Sequence, residues 1–167
     1  LYCISNEVRR LTCIFISVKG LDISTHYGSR TAHQLMQLVQ KAAYTMEGSV
    51  NKFLVDDKGV LLLVIFGLPP VYHLDDPLRA VLAGLRILDS IRFMGLSSSI
   101  GIGTGRVWIG TVGCDIRKEY TALGDAVNLS ARLMARAGEN EILCDLKTYE
   151  ECNHAMQFQQ RESFYPK

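Results

Sequence analysis

Hydrophobic positions along the chain follow two periods, and the switches between them divide it into elements. Residues 11–18, LTCIFISV, form a β-branched apolar run that predicts a central strand. Within residues 28–47, Leu35, Met36, Leu38, Val39, Ala42, Ala43 and Met46 recur at helical spacing ahead of Gly48, which predicts a packing helix. Residues 50–67 read as a hairpin turning at Asp57-Lys58-Gly59, and Leu68-Pro69-Pro70 breaks it. A second helix opens with Asp75 or Asp76 near its cap and Pro77 at its first position. Leu78, Val81, Leu82, Leu85, Ile87, Leu88 and Ile91 are its expected buried side. From Ser97 to Gly113 alternation returns, through Ile100 and Ile102 and then Val107, Ile109 and Thr111. Gly103 and Gly105 read as the reversal between two strands. A charged loop and Tyr120-Thr121-Ala122-Leu123 follow. Gly124-Asp125 then opens a third helix with Val127, Leu129, Ala131, Leu133 and Met134 on its apolar side. A short strand (141–144), a short helix (146–152) and a last edge strand (156–162) complete the order.

On the third helix, Asn128 and Arg132 stand at i and i+4 and leave the same face. A guanidinium one turn from an amide suits phosphoryl transfer, spreading charge over phosphate oxygens while the amide holds a ribose or a phosphate. Spacing alone better fits a solvated helix face with Arg132 packing its stem.

Composition narrows the field. The chain has 167 residues, enough for one domain with a real core. A formal charge of +1 argues against non-specific binding of nucleic-acid polymers, which needs a strong basic patch. Five cysteines (Cys3, Cys13, Cys114, Cys144, Cys152) show no paired spacing, so reduced thiols and a cytoplasmic setting are expected. The longest apolar run, Val60 to Leu68, is too short to cross a bilayer, and no transmembrane segment is expected. The four histidines show no metal-ligand spacing. Gly101-x-Gly103-x-Gly105 leads into a strand, not a helix, which sets aside a dinucleotide-binding loop.

The string SIGIGTGRVWIGTVG, then EYTALG, then VNLSARLM resembles the class III nucleotidyl cyclases. It is most similar to the second catalytic half of the soluble, bicarbonate-responsive adenylyl cyclases, from about Leu11 to about Asp145. The resemblance implies an α+β fold, the ferredoxin-like cyclase palm, with an antiparallel-rich sheet and helices on one side. It implies one catalytic domain of second-half type over residues 1–167, cut from a larger protein. Lys52 matches the lysine that reads N1 of adenine, and Val55 a neighbour of the purine ring. Thr121 matches the residue facing the exocyclic amine, and Ala122 adds a backbone contact. Lysine has no acceptor, so it fits N1 of adenine and opposes the N1–H of guanine. Asn128 then orients the ribose, and Arg132 stabilises charge on the α-phosphate and pyrophosphate.

One departure from the family pattern stands out. The family's F-x-D-I-x-G-F carries an aspartate for both catalytic metal ions, and this chain has Ser17 in its place, with Phe15 and Gly20 in register. A hydroxyl is a poor ligand for a hard dication. Asp22 lies past the turn and Asp56 belongs with the hairpin turn, so neither is taken as a metal ligand. The resemblance therefore implies Mg²⁺ or Mn²⁺ held by a partner half, itself the first catalytic half of the same or another chain. The expected reaction is ATP to 3′,5′-cyclic AMP and pyrophosphate in a cytoplasmic or ciliary setting. The alternative is a degenerate cyclase-like domain with a regulatory or dimerisation role and no turnover. The family's distal phosphate-binding lysine has no assigned counterpart, and Lys147 and Lys167 stay unassigned.

Overall fold

The apolar run around Cys13 is central because both of its edges are occupied. In the computed structural model, which describes residues 6–56, 59–114 and 116–162, β1 (Glu7–Lys19) pairs antiparallel with β3 (Gly59–Phe66) and with β4 (Ser97–Cys114). β2 (Ser49–Asp56) closes the β3 edge, and β5 (Arg117–Leu123) pairs with the far half of β4, giving the order β2-β3-β1-β4-β5. β6 (Glu141–Cys144) runs parallel to the first half of the same β4 edge. The helices are α1 (His26–Thr45), α2 (Asp76–Phe93), α3 (Asp125–Arg136) and α4 (Leu146–Cys152). Up to β4 the order is β-α-β-β-α-β, and the strand order is that of the ferredoxin-like unit.

Strand alternation divides the core between two faces. Ile14, Ile16, Leu62, Val64, Ile100 and Ile102 point to one face, against Leu35, Val39 and Ala43 of α1 and Ala83 and Ile87 of α2. Gly84 lets α2 settle on Ile102, since a Cβ there would lie 3.3 Å from the Ile102 Cδ1. Leu11, Cys13, Leu63, Ile65, Val107 and Ile109 form the other face, together with Ala122 and Ala126.

The antiparallel-rich sheet is as expected, but the helices are not all on one side. α1 and α2 cover one face, and α3 lies on the other. The glycines explain this. Ser97–Cys114 is one unbroken strand of 18 residues, and Gly103 and Gly105 mark no reversal. A Cβ on Gly101 would overlap the Ser130 carbonyl and the Met134 amide, and one on Gly103 would lie 2.9 Å from the Ala126 carbonyl. The alternate glycines thus make a flat bed for the backbone of α3. Accordingly, α3 buries small residues, Ala126 and Ser130, with Leu133, rather than the predicted apolar side alone.

Other expectations shift more modestly. The reversal lies at the end of β4, and Arg117–Leu123, read as loop, is the returning strand. Leu85 is exposed, because α2 turns Ala80, Ala83, Gly84 and Ile87 to the sheet. Residues 156–162 form no strand: Met156 and Phe158 pack on the α1–α2 core, and the Phe158 ring meets Tyr149 edge-on at 5.4 Å. Gly59 has φ 130°, as a tight turn requires, while the turn residues Asp57 and Lys58 lie outside the described residues. A buried hydroxyl chain ties β1 and β4 to α4, with Thr12 and Thr104 3.0 Å apart and Thr104 and Thr148 2.7 Å apart. It ends where Thr148 donates to Asp145 at 2.6 Å.

Candidate active site

A β-bulge decides where Lys52 goes. Ser49 pairs with Ile65 and Val50 with Val64, but the next partner of β3, Leu63, is taken by Lys52, leaving Asn51 bulged out. Side chains alternate along a strand, so one extra residue reverses the facing of everything after it. Lys52 thereby shares the face of Leu63 and Ile65, the face that carries α3. Val55, three residues on, falls on the opposite side of β2, opposite Val60, so the structure does not bring it beside Lys52.

The β4–β5 arm meets Lys52 from the other end of the sheet. Tyr120 and Ala122 point into the cluster formed by Leu63, Ile65, Val107 and Ile109, which holds the arm against this face. Glu119 and Thr121 alternate with them, opposite Val112 and Gly110 of β4. Lys52 Nζ lies 3.7 Å from Glu119 Oε1, two positions along β5 from Thr121. Thr121 is 7% exposed and Ala122 5%, so the Ala122 side chain belongs to the core and only its backbone faces elsewhere. Sequence reasoning passed over Glu119 as one charge in a loop; its alternation with Thr121 becomes a signal once β5 is known to be a strand.

Next to this arm, Tyr120, Asn51, Ile65, Leu68 and Pro70 line a cavity of about 320 Å³. The Asn51 Oδ1, on the bulged residue, is buried without a hydrogen-bond partner among the described residues. Burial, aided by the Glu7 carboxylate, raises the Tyr120 phenol above its usual range, so it stays protonated.

Asn128 and Arg132 stand on the side of α3 away from the glycine bed. Both are exposed, and neither side chain makes a hydrogen bond or ion pair with the described residues. Gly124 is the N-cap and Asp125 the first helical residue, so the EYTALG segment runs directly into this helix. One face of the sheet thus holds Lys52 and the Asn128–Arg132 helix, and Lys52 reaches Glu119 on the strand that carries Thr121.

The donor set of the described residues does not fit a divalent cation. Ser17 sits mid-strand between Leu61 and Ser99, where it offers only a hydroxyl. The Asp22 carboxylate is taken up by its own turn, accepting from the Ser24 hydroxyl at 2.6 Å and amide at 3.0 Å, which holds it below the usual carboxylate range. Among the described residues, no three His, Cys, Asp or Glu side chains gather as a metal site. Nor is any described helix long and apolar enough to cross a membrane.

Comparison with known proteins adds the family. The chain is 30% identical over 156 residues to adenylate cyclase type 10 of Rattus norvegicus, and 30% over 152 residues to that of Homo sapiens. Each match covers 89% of this chain but 9% of the relative, so the chain spans a small part of those proteins. Among solved structures, the adenylyl cyclase CyaB from P. aeruginosa superposes with a TM-score of 0.83 at 24% identity, covering 92% of this chain and 85% of that one. The guanylyl cyclase Cya2 superposes with a TM-score of 0.78 at 25% identity, covering 97% of this chain and 87% of that one. The fold is therefore the cyclase palm, shared by enzymes named for either base. The sequence profile of the adenylate and guanylate cyclase catalytic domain matches residues 4–166, and the chain belongs to that family.

Proposed function

We propose that this domain is the second catalytic half of a soluble-type adenylate cyclase, converting ATP to 3′,5′-cyclic AMP and pyrophosphate together with a first half. The observation that carries this reading is the Lys52–Glu119 contact at 3.7 Å, which sets the ammonium beside the strand of Thr121. Lys52 donates to N1 of adenine and the Thr121 hydroxyl accepts from the N6 amine. Guanine presents an N–H at N1, which Lys52 cannot accept, so the lysine favours ATP, while the Thr121 hydroxyl can donate or accept. The resemblance to adenylate cyclase type 10 supports the same choice.

Asn128 holds the ribose. The ribose 3′-oxygen loses its proton and bonds to the α-phosphorus, and the bond from that phosphorus to the pyrophosphate oxygen breaks. Arg132 stabilises the charge growing on the α-phosphate and the departing pyrophosphate. Exposure and the absence of a partner among the described residues leave its guanidinium available for this. The Mg²⁺ or Mn²⁺ of the reaction is assigned to the partner half, because Ser17 and Asp22 do not provide its ligands.

The partner has a surface to meet. Val8, Trp108 and Leu123 stand in register across β1, β4 and β5, with Val8 54% and Leu123 55% exposed. An apolar row of this kind along an arm fits a protein–protein contact. A homodimer of this chain would have Ser17 in both copies, so the first half is a different domain.

The test is cyclic AMP formation by a reconstituted complex with a metal-competent first half. Arg132→Ala should abolish most of the turnover, and Lys52→Ala should loosen the choice of ATP over GTP. A folded complex whose turnover ignores both substitutions would contradict the reading.

A further inference from the structure

The outer surface of the α1–α2 layer carries a charge pattern that packing does not require. Along α1, His26, Arg30, His33, Gln37, Lys41 and Tyr44 recur every three or four residues, and all of them are exposed. The chain has 17 aspartates and glutamates, yet none falls among the 20 residues of α1. An ordinary solvated helix mixes both signs at i and i+4. On α2, Arg86 and Arg92 are exposed, and Asp89 is the one exposed acid. The side chains of Arg30, Lys41, Arg86 and Arg92 make no ion pair with the described residues.

Apolar groups stand out among these charges. β1 ends where β4 begins, with Lys19 opposite Ser97, so the start of α1 and the end of α2 share one end of the layer. Glu47 and Arg79, 2.7 Å apart, join the opposite ends. Tyr27 and Phe93 both lie at the first end, 80% and 94% exposed.

We infer that the outer face of the α1–α2 layer docks on an anionic lipid surface, its basic stripe against the headgroups and Phe93 and Tyr27 entering among them. Basic residues are drawn to a negatively charged leaflet, each strengthening partition about fivefold. Exposed aromatic rings beside such a stripe settle at headgroup depth. An acidic protein segment fits less well, because it needs an apolar pocket for its anchoring side chains. The hollow on α1, of about 340 Å³, is lined by Ser29, Arg30, His33, Gln34 and Gln37, all polar. Here the apolar groups protrude instead, as insertion into lipid requires. The geometry also suits the rest of the molecule. α3, with Asn128 and Arg132, lies across the sheet, so a membrane against α1 and α2 leaves that side uncovered. This binding needs neither a partner half nor turnover, and so stands apart from the reaction proposed above.

The experiment is sedimentation of the purified chain with vesicles of phosphatidylcholine alone, and with vesicles containing about a third phosphatidylserine. The chain should partition onto the second kind only, and less as salt rises. Arg30→Ala should weaken partition about fivefold and Arg30→Ala/Lys41→Ala about twenty-fivefold. Phe93→Ser should weaken it at least about threefold. All of these positions are exposed, so circular dichroism should show the fold unchanged. Arg132→Ala removes one basic residue from the other side of the sheet and should leave partition as it is. Absence of the chain from phosphatidylserine pellets at low salt overturns the inference. An Arg132→Ala loss equal to that of Arg30→Ala, or a Phe93→Ser variant that binds like the wild type, overturns the seating of this face on lipid. A chain that binds polyglutamate through Arg30 and Lys41 and ignores the vesicles overturns it in favour of an acidic protein partner.

Discussion

Arg132 is exposed and without a partner among the described residues, so its removal should leave the fold intact. In the reconstituted complex, Arg132→Ala should lower kcat about a hundred- to a thousandfold, the usual effect of losing one preorganised transition-state charge. An unchanged melting curve beside the lost turnover checks that the effect is chemical. The thiols offer a second residue-scale prediction. Burial pushes the Cys13 thiol up to about 12, while the Arg117 and Ile116 amides hold the exposed Cys114 below its usual range. The thiolate is the reactive form, so a thiol-alkylating reagent at mildly alkaline pH should label Cys114 well before Cys13, as peptide mapping would show. The residue types at Lys52 and Thr121 were legible in the sequence through the family pattern. The reason Lys52 reaches the site was not. It depends on Asn51 bulging out against β3, and a bulge is set by the partner strand, not by the strand that carries it.

At the scale of elements, the contact between α3 and β4 carries the most consequence, since it positions Asn128 and Arg132. The glycines beneath α3 leave no room for a side chain, and a Cβ on Gly101 would meet backbone atoms of α3. Gly101→Ala should therefore lift the helix and destabilise the domain by about 1–3 kcal/mol, the common cost of overpacking. A lower urea midpoint would show it, together with a loss of turnover like that of an Arg132 variant. Gly95→Ala is the contrast in space, with nothing within 4 Å of the added Cβ, although its φ of 74° makes that substitution strained for a separate reason. Periodicity located every helix and most strands, yet it misread Gly103 and Gly105 as a turn. A glycine in a strand pattern marks either freedom or close approach, and only the neighbour across the sheet decides which. The same limit applies to residues 156–162. Met156 and Phe158 alternate as in a strand, but they pack on the α1–α2 core, and Arg161 clamps the segment through Glu141 at 2.7 Å.

At the scale of the molecule, one sheet separates two tasks. The face under α1 and α2 is the main core, and the other face carries Lys52 and the α3 helix that bears Asn128 and Arg132. That division explains how a domain of this family remains folded while lacking a carboxylate at Ser17: the metal-ligand position contributes little to the core packing. The described residues supply the Lys52–Glu119 pair, Thr121, Asn128 and Arg132, but no cluster for a cation. The central claim is that this half works only with a complementary one. The most direct measurement is cyclic AMP formation from ATP, with Mg²⁺ or Mn²⁺, by the purified domain alone, by a metal-competent first half alone, and by their mixture. The account predicts negligible turnover from the domain alone and activity that appears on mixing. Substantial metal-dependent turnover by the pure, partner-free domain would contradict it, as would a stable, well-folded mixture that makes no cyclic AMP.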